Sequence, residues 1–256
     1  MNVFADYSKF YDLLYSDKNY PKEAAYILKL IKKHKPGSKT VLEFGCGTGI
    51  HASILAKAKL NITGIDQSKT MIESAIKRLS KLPKNTSKLL NFQVGDIRNK
   101  NLHNTYDVCL SLFHIISYQT SNADVINTFT NARKHLKPGG LFVFDCWYGP
   151  AVLGIMPSVK EKNVENDQVK IIRIATPEVH LNKCIVDVNY HLLIIDKKNS
   201  KCEELREKHE MRYFFKPELE YFLSTAGFEL THTEEWITQN TPGSDTWGVT
   251  FIAKAI

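Results

Sequence analysis

The sequence predicts a single α/β domain, residues 1–256, built on a mostly parallel sheet and carrying an antiparallel β insertion. Short apolar segments alternate with amphipathic segments between residues 20 and 146, which is typical of βαβ units with helices on both sheet faces. After Trp147 the pattern changes to strand-like segments joined by turns, which indicates antiparallel pairing over residues 150–215. This insertion is too short to form a domain of its own.

The elements follow one another in an order that suits a parallel sheet with crossover helices. Helical periodicity with Pro and Gly stops predicts helices over Tyr20–Lys35, His51–Lys59, Met71–Leu82, Ala123–Leu136 and Pro217–Ala226. Apolar runs predict strands over Thr40–Phe44, Asn61–Ile65, Leu89–Val94, Tyr106–Phe113, Leu141–Cys146, Glu229–Trp236 and Trp247–Ala255. The insertion contributes strands over Val169–Thr176, Cys184–Ile195 and Glu203–Phe215.

Composition narrows the class of protein only modestly. The net charge of +7 suits an anionic ligand, but the lysines are scattered along helical segments and form no dense basic arm, so nucleic acid is not the expected partner. None of the five cysteines stands in a Cys-x-x-Cys pair, and neither a disulfide framework nor a metal site is predicted. The N-terminus lacks the apolar core of a signal peptide, and no apolar run is long enough to cross a membrane. We therefore expect a cytoplasmic protein without membrane contact.

Four features in a fixed order point to a cofactor site. A glycine-rich segment, Glu43-Phe44-Gly45-Cys46-Gly47-Thr48-Gly49, joins a predicted strand to a helix, where glycines allow a tight turn against a ligand. Asp66 ends the next strand, about twenty residues on, where a carboxylate can accept hydrogen bonds from ribose hydroxyls. Gly95-Asp96-Ile97 follows the third strand, and a turn of Lys137-Pro138-Gly139-Gly140 precedes the fifth. Taken alone, Asp66 is equally compatible with capping the helix that starts near Lys69.

These features together resemble the class I methyltransferases that use S-adenosylmethionine (SAM). The resemblance covers the chain from Val41 to Asp145 and implies a Rossmann-like sheet of seven strands, the last of them antiparallel. It also implies SAM as cofactor. By position it implies a set of cofactor-binding residues: Tyr20, Glu43, Gly45, Cys46, Gly47, Asp66, Gln67, Met71, Gly95, Asp96, Ile97, Leu112 and Phe113.

A narrower resemblance concerns the methyl acceptor. No Asn-Pro-Pro-Tyr, Asp-Pro-Pro-Tyr or Pro-Cys motif follows the fourth strand, which argues against methylation of adenine or glutamine amino groups and of pyrimidine carbons. Phe10–Tyr15, Phe113–Gln119 and His209–Phe214 instead resemble segments of bacterial enzymes that methylate the amine of nucleotide-linked amino deoxysugars. This resemblance implies that residues 150–215 cap the active site, and it also suggests a homodimer.

Three side chains are candidates for orienting the acceptor or relaying its proton, namely Tyr11, Tyr118 and His114. Since the sulfonium methyl group is already activated, the protein chiefly has to align the acceptor, and an amine has to arrive unprotonated. Tyr11 is equally compatible with packing over the cofactor, and His114 with capping the next helix. Candidate substrate-binding residues are Trp147, Tyr148, Arg173 and Arg212, for which core packing and surface ion pairs are the alternatives.

The sequence therefore predicts a SAM-dependent N-methyltransferase of a small molecule, and the resemblance implies that this molecule is a nucleotide-linked amino sugar. O-methylation of a small metabolite remains open, because the same fold supports it. A SAM-binding protein without activity also remains open. RNA methylation is encouraged only by the positive net charge.

Overall fold

The computed structural model describes residues 7–256, in which helices and strands alternate along most of the chain. The helices are α1 (Tyr11–Leu14), α2 (Tyr20–His34), α3 (Ile50–Leu55), α4 (Lys69–Leu79), α5 (Lys84–Ser87), α6 (Asn122–Lys134), α7 (Gly149–Ile155) and α8 (Lys216–Thr225). The strands are β1 (Thr40–Phe44), β2 (Asn61–Asp66), β3 (Leu90–Val94), β4 (Tyr106–Ser111), β5 (Leu136–Tyr148), β6 (Lys160–Glu165), β7 (Val169–His180), β8 (Ile185–Asp196), β9 (Cys202–Phe214), β10 (Phe228–Glu235) and β11 (Gly248–Ala255). No helix within residues 7–256 is long and apolar enough to cross a membrane.

Seven strands form the central sheet in the order β3-β2-β1-β4-β5-β11-β10. Strands β1 to β5 pair in parallel, while β11 runs antiparallel to both β5 and β10. Helices cover both faces, so the central strands are buried on both sides and read as continuous apolar runs. The Rossmann-like seven-stranded sheet expected from the sequence is confirmed.

Two apolar clusters hold the helices against the sheet. On one face Phe129 of α6 and Leu219 of α8 pack against Phe142 and Phe144 of β5. On the other, residues of α2, α3 and α4 pack against β1 and β4, with Ile27 fully buried among them. The sheet therefore lies between two layers of helices. The carboxyl ends of its parallel strands are the edge at which such sheets bind ligands.

Strands β6 to β9 form an antiparallel sheet in chain order. It joins the central sheet where β9 lies parallel to β5, with Trp147 opposite Tyr213 and Tyr148 opposite Phe214. The fully buried Leu14 of α1 packs against the other side of this insertion, in a cluster of apolar side chains from β7 and β8. The N-terminal segment thus contacts the insertion directly.

The structure differs from the sequence-based elements in one turn, one strand and the short helices α1, α5 and α7. Residues 137–140 lie within β5 and not in a turn before it, since the register jumps from Tyr106 opposite Leu136 to Val108 opposite Leu141. The excursion adds residues to β5 without ending its pairing, as a β-bulge does. Strand β6 is polar, with each of its residues exposed or half-buried, and it forms the edge of the sheet.

Candidate active site

The glycine-rich segment turns sharply between β1 and α3. Gly45, Gly47 and Gly49 all adopt positive φ angles, of 66°, 54° and 73°. A Cβ atom at position 45 would lie 2.6 Å from the side chain of Ile115. Only glycine combines this backbone conformation with so close an approach, so the path of the loop depends on the residue type found there.

Two clefts open beside this loop and meet at Gly45 and Ile115, which line both. The larger, the wide cleft, has a volume of about 190 Å³, and the smaller, the narrow cleft, about 30 Å³. Of the residues expected to act, the wide cleft is lined by Gly45, Asp66, Gln67, Gly95, Asp96, Ile97 and Tyr118. The narrow cleft is lined by Tyr11, Tyr20, Glu43, Gly45, Cys46, Gly47, Leu112 and Phe113. The structure thus brings fourteen of the fifteen cofactor and tyrosine positions around one composite site, with Gly45 counted once; Met71 is the exception.

Asp66 stands at the end of β2 with its carboxylate held by the backbone. Its Oδ2 accepts from the Gly47 amide at 3.0 Å and its Oδ1 from the Ser68 amide at 2.8 Å. The N-cap of α4 is Ser68, whose hydroxyl accepts from the Met71 amide, so the capping role considered for Asp66 belongs to its neighbour. Burial raises the pKa of Asp66. A ribose hydroxyl that reached this carboxylate would relieve part of that desolvation cost.

Asp96, which also lines the wide cleft, has its carboxylate held by Arg98. Arg98 donates to both of its carboxylate oxygens, from Nε at 3.0 Å and from Nη2 at 2.6 Å. The same guanidinium reaches Asp124 through Nη1 at 2.8 Å. The hydrogen bonds from Arg98 hold the pKa of Asp96 below its usual value. Asp96 therefore offers a rigid, ionised acceptor at the cleft wall.

Glu43 and Tyr20 give the narrow cleft an unusual polarity. Oε2 of Glu43 and the hydroxyl of Tyr20 are both buried, and neither has a hydrogen-bond partner within residues 7–256. Burial, reinforced by the nearby charge of Asp66, raises the pKa of Glu43 to about 8. Buried polar atoms are normally hydrogen-bonded, so two such atoms lining one cleft indicate a polar ligand. The amino acid end of SAM, with an ammonium group and a carboxylate, fits this pair of one acceptor and one donor.

The N-terminal segment closes the narrow cleft. Tyr11 lines it, and Asp12 accepts from the hydroxyl of Thr48 at 2.7 Å and from Arg78 at 2.6 Å. Thr48 belongs to the glycine-rich loop, so α1 is tied to the loop on one side and to the insertion through Leu14 on the other. Tyr11 packs against the apolar cluster around Leu14 and also lines the cleft, and its role toward the acceptor stays a prediction.

Tyr118 belongs to a hydrogen-bonded chain that the sequence did not reveal. Its hydroxyl lies 2.8 Å from Nδ1 of His209, and Nε2 of His209 lies 3.2 Å from Oε2 of Glu207. Strand β9 alternates exposed and inward-facing residues, and Glu207 and His209 share the inward face. A histidine on the apolar face of a charged strand is the signal that could have identified this pair.

His114, Trp147 and Tyr148 lie next to the clefts and line neither of them. Nδ1 of His114 lies 2.8 Å from Oδ2 of Asp145, so its side chain does not cap the short helical turn of residues 115–118. The ring of Trp147 packs edge-on against Trp247 at 5.7 Å, and Tyr148 packs against the core of the central sheet. Trp147 and Tyr148 therefore pack in the protein interior, which is the alternative to substrate binding considered for them.

Met71 and the two candidate arginines also lie outside both clefts. Met71 is buried within α4. Arg212 is buried, donates to Glu218 at 3.0 Å and stacks on Phe214. Arg173 lies over the ring of Tyr190, 5.0 Å from its centroid. Arg212 thus forms an ion pair with α8, which is the alternative considered for it, and its role in substrate binding stays a prediction.

Comparison with known proteins agrees with this geometry. Residues 41–140 match the family model described as a methyltransferase domain. The chain is 28% identical to a dTDP-4-amino-2,3,4,6-tetradeoxy-D-glucose N,N-dimethyltransferase of Saccharopolyspora spinosa, over 57% of this chain and 56% of that protein. It is 25% identical to a dTDP-3-amino-3,4,6-trideoxy-alpha-D-glucopyranose N,N-dimethyltransferase of Streptomyces venezuelae, over 90% of this chain and 92% of that protein.

The fold is also shared with a solved structure. CalS10, an amino pentose methyltransferase from Micromonospora echinaspora determined with SAM bound, superposes with a TM-score of 0.76 at 22% identity, covering 100% of this chain and 99% of that one. Because the superposition covers the whole chain, the structural similarity includes the antiparallel insertion. The glycine-rich loop, the acids that follow β2 and β3, and the matching domain model all lead to one classification. Residues 41–140 form a methyltransferase domain, and SAM is its cofactor.

Proposed function

We propose that this protein transfers the methyl group of SAM to the amino nitrogen of a nucleotide-linked amino sugar. The two relatives from Saccharopolyspora spinosa and Streptomyces venezuelae are named for that chemistry, and the second aligns over nearly the whole chain. The observation that carries the proposal is the pair of clefts that meet at Gly45. One offers unpartnered polar atoms suited to an amino acid, and the other offers carboxylates suited to a nucleoside.

The residues present divide the binding of SAM between the two clefts. Tyr20 and Glu43 would hold the amino acid end in the narrow cleft, and Asp66 the ribose hydroxyls in the wide cleft. Asp96 would accept from the adenine amino group while Ile97 packs on the ring. When bound, SAM supplies an electrophilic methyl group on sulfur, so no further activation of that group is needed.

The protein's remaining task is to align a neutral amine for in-line attack. Tyr118 lines the wide cleft and Tyr11 the narrow one, so these two side chains flank the wall at Gly45 where the clefts meet. An amine that enters as an ammonium ion has to lose a proton before it can attack, and the closed surroundings of the site disfavour the charged form. His114 lies outside both clefts, with its backbone amide donating to Asp145 at 3.1 Å, so it would act on the acceptor only indirectly.

The direct test is methyl transfer followed by mass spectrometry. Incubation of the protein with SAM and a panel of dTDP-linked amino sugars should give products heavier by one or two methyl groups. The same nucleotide sugars with a hydroxyl group in place of the amine serve as the matched control. Methylation of the hydroxyl compounds alone would contradict the proposal, as would the absence of SAM binding in calorimetry.

One observation favours O-methylation as the second candidate. A hydroxyl acceptor has to surrender its proton during the transfer, and Tyr118 with His209 provides a hydrogen-bonded acceptor chain beside the wide cleft. The hydroxyl control decides between the two acceptors. A SAM-binding protein without activity would bind the cofactor and methylate neither compound.

Four further expectations complete the proposal. We propose that the chain acts as one domain in which residues 150–215 cap the site. A homodimer and a cytoplasmic location stay predictions from the sequence. RNA is not expected to bind, and binding that weakens steeply with added salt would contradict this.

A further inference from the structure

We infer that Tyr118, His209 and Glu207 form a relay that removes the proton from the acceptor as it enters the wide cleft. The inference rests on the proposed function, because it concerns the acceptor of that reaction. Tyr118 is the member that lines the cleft, so it is the group that would touch the acceptor. His209 and Glu207 would act through it and are positioning residues.

The relay is assembled from two distant parts of the chain. Tyr118 ends the short helical turn that follows β4, and His209 and Glu207 stand on β9 of the insertion. The pairing of β9 with β5 at Trp147 and Tyr213 brings these elements together. His209 is 2% exposed, so its ring nitrogens are shielded from water.

The hydrogen bonds define which nitrogen carries the proton. The carboxylate of Glu207 can only accept, so Nε2 of His209, at 3.2 Å, has to be the protonated nitrogen. In the neutral ring Nδ1 is then an acceptor, and it faces the Tyr118 hydroxyl at 2.8 Å. The hydroxyl therefore donates to His209, and Tyr118 itself lines the cleft that the acceptor would enter.

The step conserves charge and protons. The acceptor ammonium gives a proton to the phenolic oxygen of Tyr118, and Tyr118 gives its own proton to Nδ1 of His209. The nitrogen lone pair that is freed then forms the bond to the methyl group, and the electrons of the carbon–sulfur bond leave with sulfur. The resulting imidazolium lies next to the Glu207 carboxylate, which stabilises its charge. Burial raises the pKa of Tyr118, so a free phenolate is disfavoured and a concerted transfer through the hydroxyl is the available route.

Several other charged and titratable groups face this chain. The ring of Tyr190 on β8 packs edge-on against His209, with ring centroids 4.8 Å apart, and Arg173 on β7 lies over that tyrosine. The charge of Asp66 and the hydroxyl of Tyr15 act on Tyr118 from the cofactor side and from the N-terminal segment. Lys208 and Glu210 are exposed neighbours on β9 that pair with each other at 3.0 Å and belong to the cleft rim.

The first test is a measurement on the free protein that needs no substrate. Nitrogen-15 NMR of histidine-labelled protein should show His209 as the neutral tautomer with the proton on Nε2. A Glu207→Gln substitution supplies an amide that can donate as well as accept, so we expect its resonances to shift toward a mixture of tautomers. A His209 ring protonated on Nδ1 in the unsubstituted protein would overturn the relay.

The second test is the pH dependence of methyl transfer to a dTDP-linked amino sugar. We expect His209→Asn to reduce kcat/KM by about 100-fold at pH 6.5, where most of the amine is ammonium. The deficit should shrink as the pH rises toward 9, because the amine then arrives already neutral. A purely structural role for His209 would give a deficit that does not change with pH, and this outcome would also overturn the relay.

Tyr118→Phe tests the relay without emptying the buried histidine position. It should show the same pH-dependent deficit, and the double variant should be no worse than either single one, because the two residues act in one chain. His191→Asn is the matched histidine control, since His191 lies on β8 beside Glu204 and lines neither cleft. Tyr221→Phe, at a tyrosine that is 67% exposed, is the matched tyrosine control.

The outcomes separate this inference from the proposed function. Failure of the unsubstituted protein to methylate any amino sugar would contradict the proposed function, while the tautomer of His209 would still report on the relay geometry. Methylation that proceeds with wild-type pH dependence in Tyr118→Phe would overturn the relay and leave the proposed function standing. SAM affinity, measured by calorimetry, should be unchanged in all of these variants.

Discussion

Glu43 is expected to destabilise the free protein in a pH-dependent way, and Glu43→Gln should remove that effect. The ordinary pKa of a glutamate is 4.5, and burial together with Asp66 raises that of Glu43 to about 8. Between these values the folded protein binds a proton that the unfolded chain has released, so the free energy of unfolding falls as the pH rises. From pH 5 to pH 7 the loss for one such group amounts to about 2 to 3 kcal/mol.

Urea unfolding at pH 5, 6 and 7, followed by circular dichroism without SAM, measures this difference. The variant should gain stability relative to the unsubstituted protein as the pH rises, and the two should differ least at pH 5. Glu220→Gln, on the exposed side of α8, is the control and should leave the slope unchanged. Parallel pH profiles for the unsubstituted protein and Glu43→Gln would refute the assignment of a buried, largely neutral carboxyl group.

Three other substitutions test the cofactor site. Asp66→Ala should weaken SAM binding by more than tenfold, about 1.4 kcal/mol, and an unchanged calorimetric affinity would remove Asp66 from the site. Gly45→Ala should cost about 1 to 3 kcal/mol more in urea unfolding than Gly47→Ala, because only the first places a Cβ against a side chain, 2.6 Å from Ile115. Asp12→Ala should speed hydrogen exchange in the N-terminal segment with little loss of global stability, because the Asp12 carboxylate is half exposed. Exchange at the unsubstituted rate would show that the apolar contacts of α1 are enough to hold this segment in place.

The central sheet could be predicted because its signals are local. Each parallel strand is a short apolar run bounded by glycine or an acid, and each crossover helix has an amphipathic face. Residues 137–140 misled the prediction because Pro-Gly-Gly indicates a turn, whereas pairing with β4 carries the strand through it. Strand β6 was missed for a different reason: its sequence, Lys160 to Glu165, is polar, and only its neighbour β7 makes it a strand.

The cofactor side of the site was more accessible to sequence reasoning than the acceptor side. Asp66 and Asp96 follow strands of a parallel sheet, so the fold itself places them at one edge. Tyr118 and His209 are 91 positions apart, and their contact depends on how the insertion returns to β5. Neither periodicity nor spacing carries that information. Arg212 was selected as a candidate because of its charge, but in the structure it is buried and donates to Glu218. Burial of this kind cannot be read from the residue type alone.

Because the two clefts have different linings, we expect substitutions to differ in whether they change SAM affinity or turnover. Glu43 belongs to the narrow cleft alone, whereas Gly45 and Ile115 belong to both. His209 lines neither cleft and reaches the acceptor only through Tyr118. Changes at Glu43 should therefore alter SAM affinity, and changes at His209 should alter turnover at constant SAM affinity. A change at the shared wall should affect both together, because Gly45 and Ile115 line both clefts.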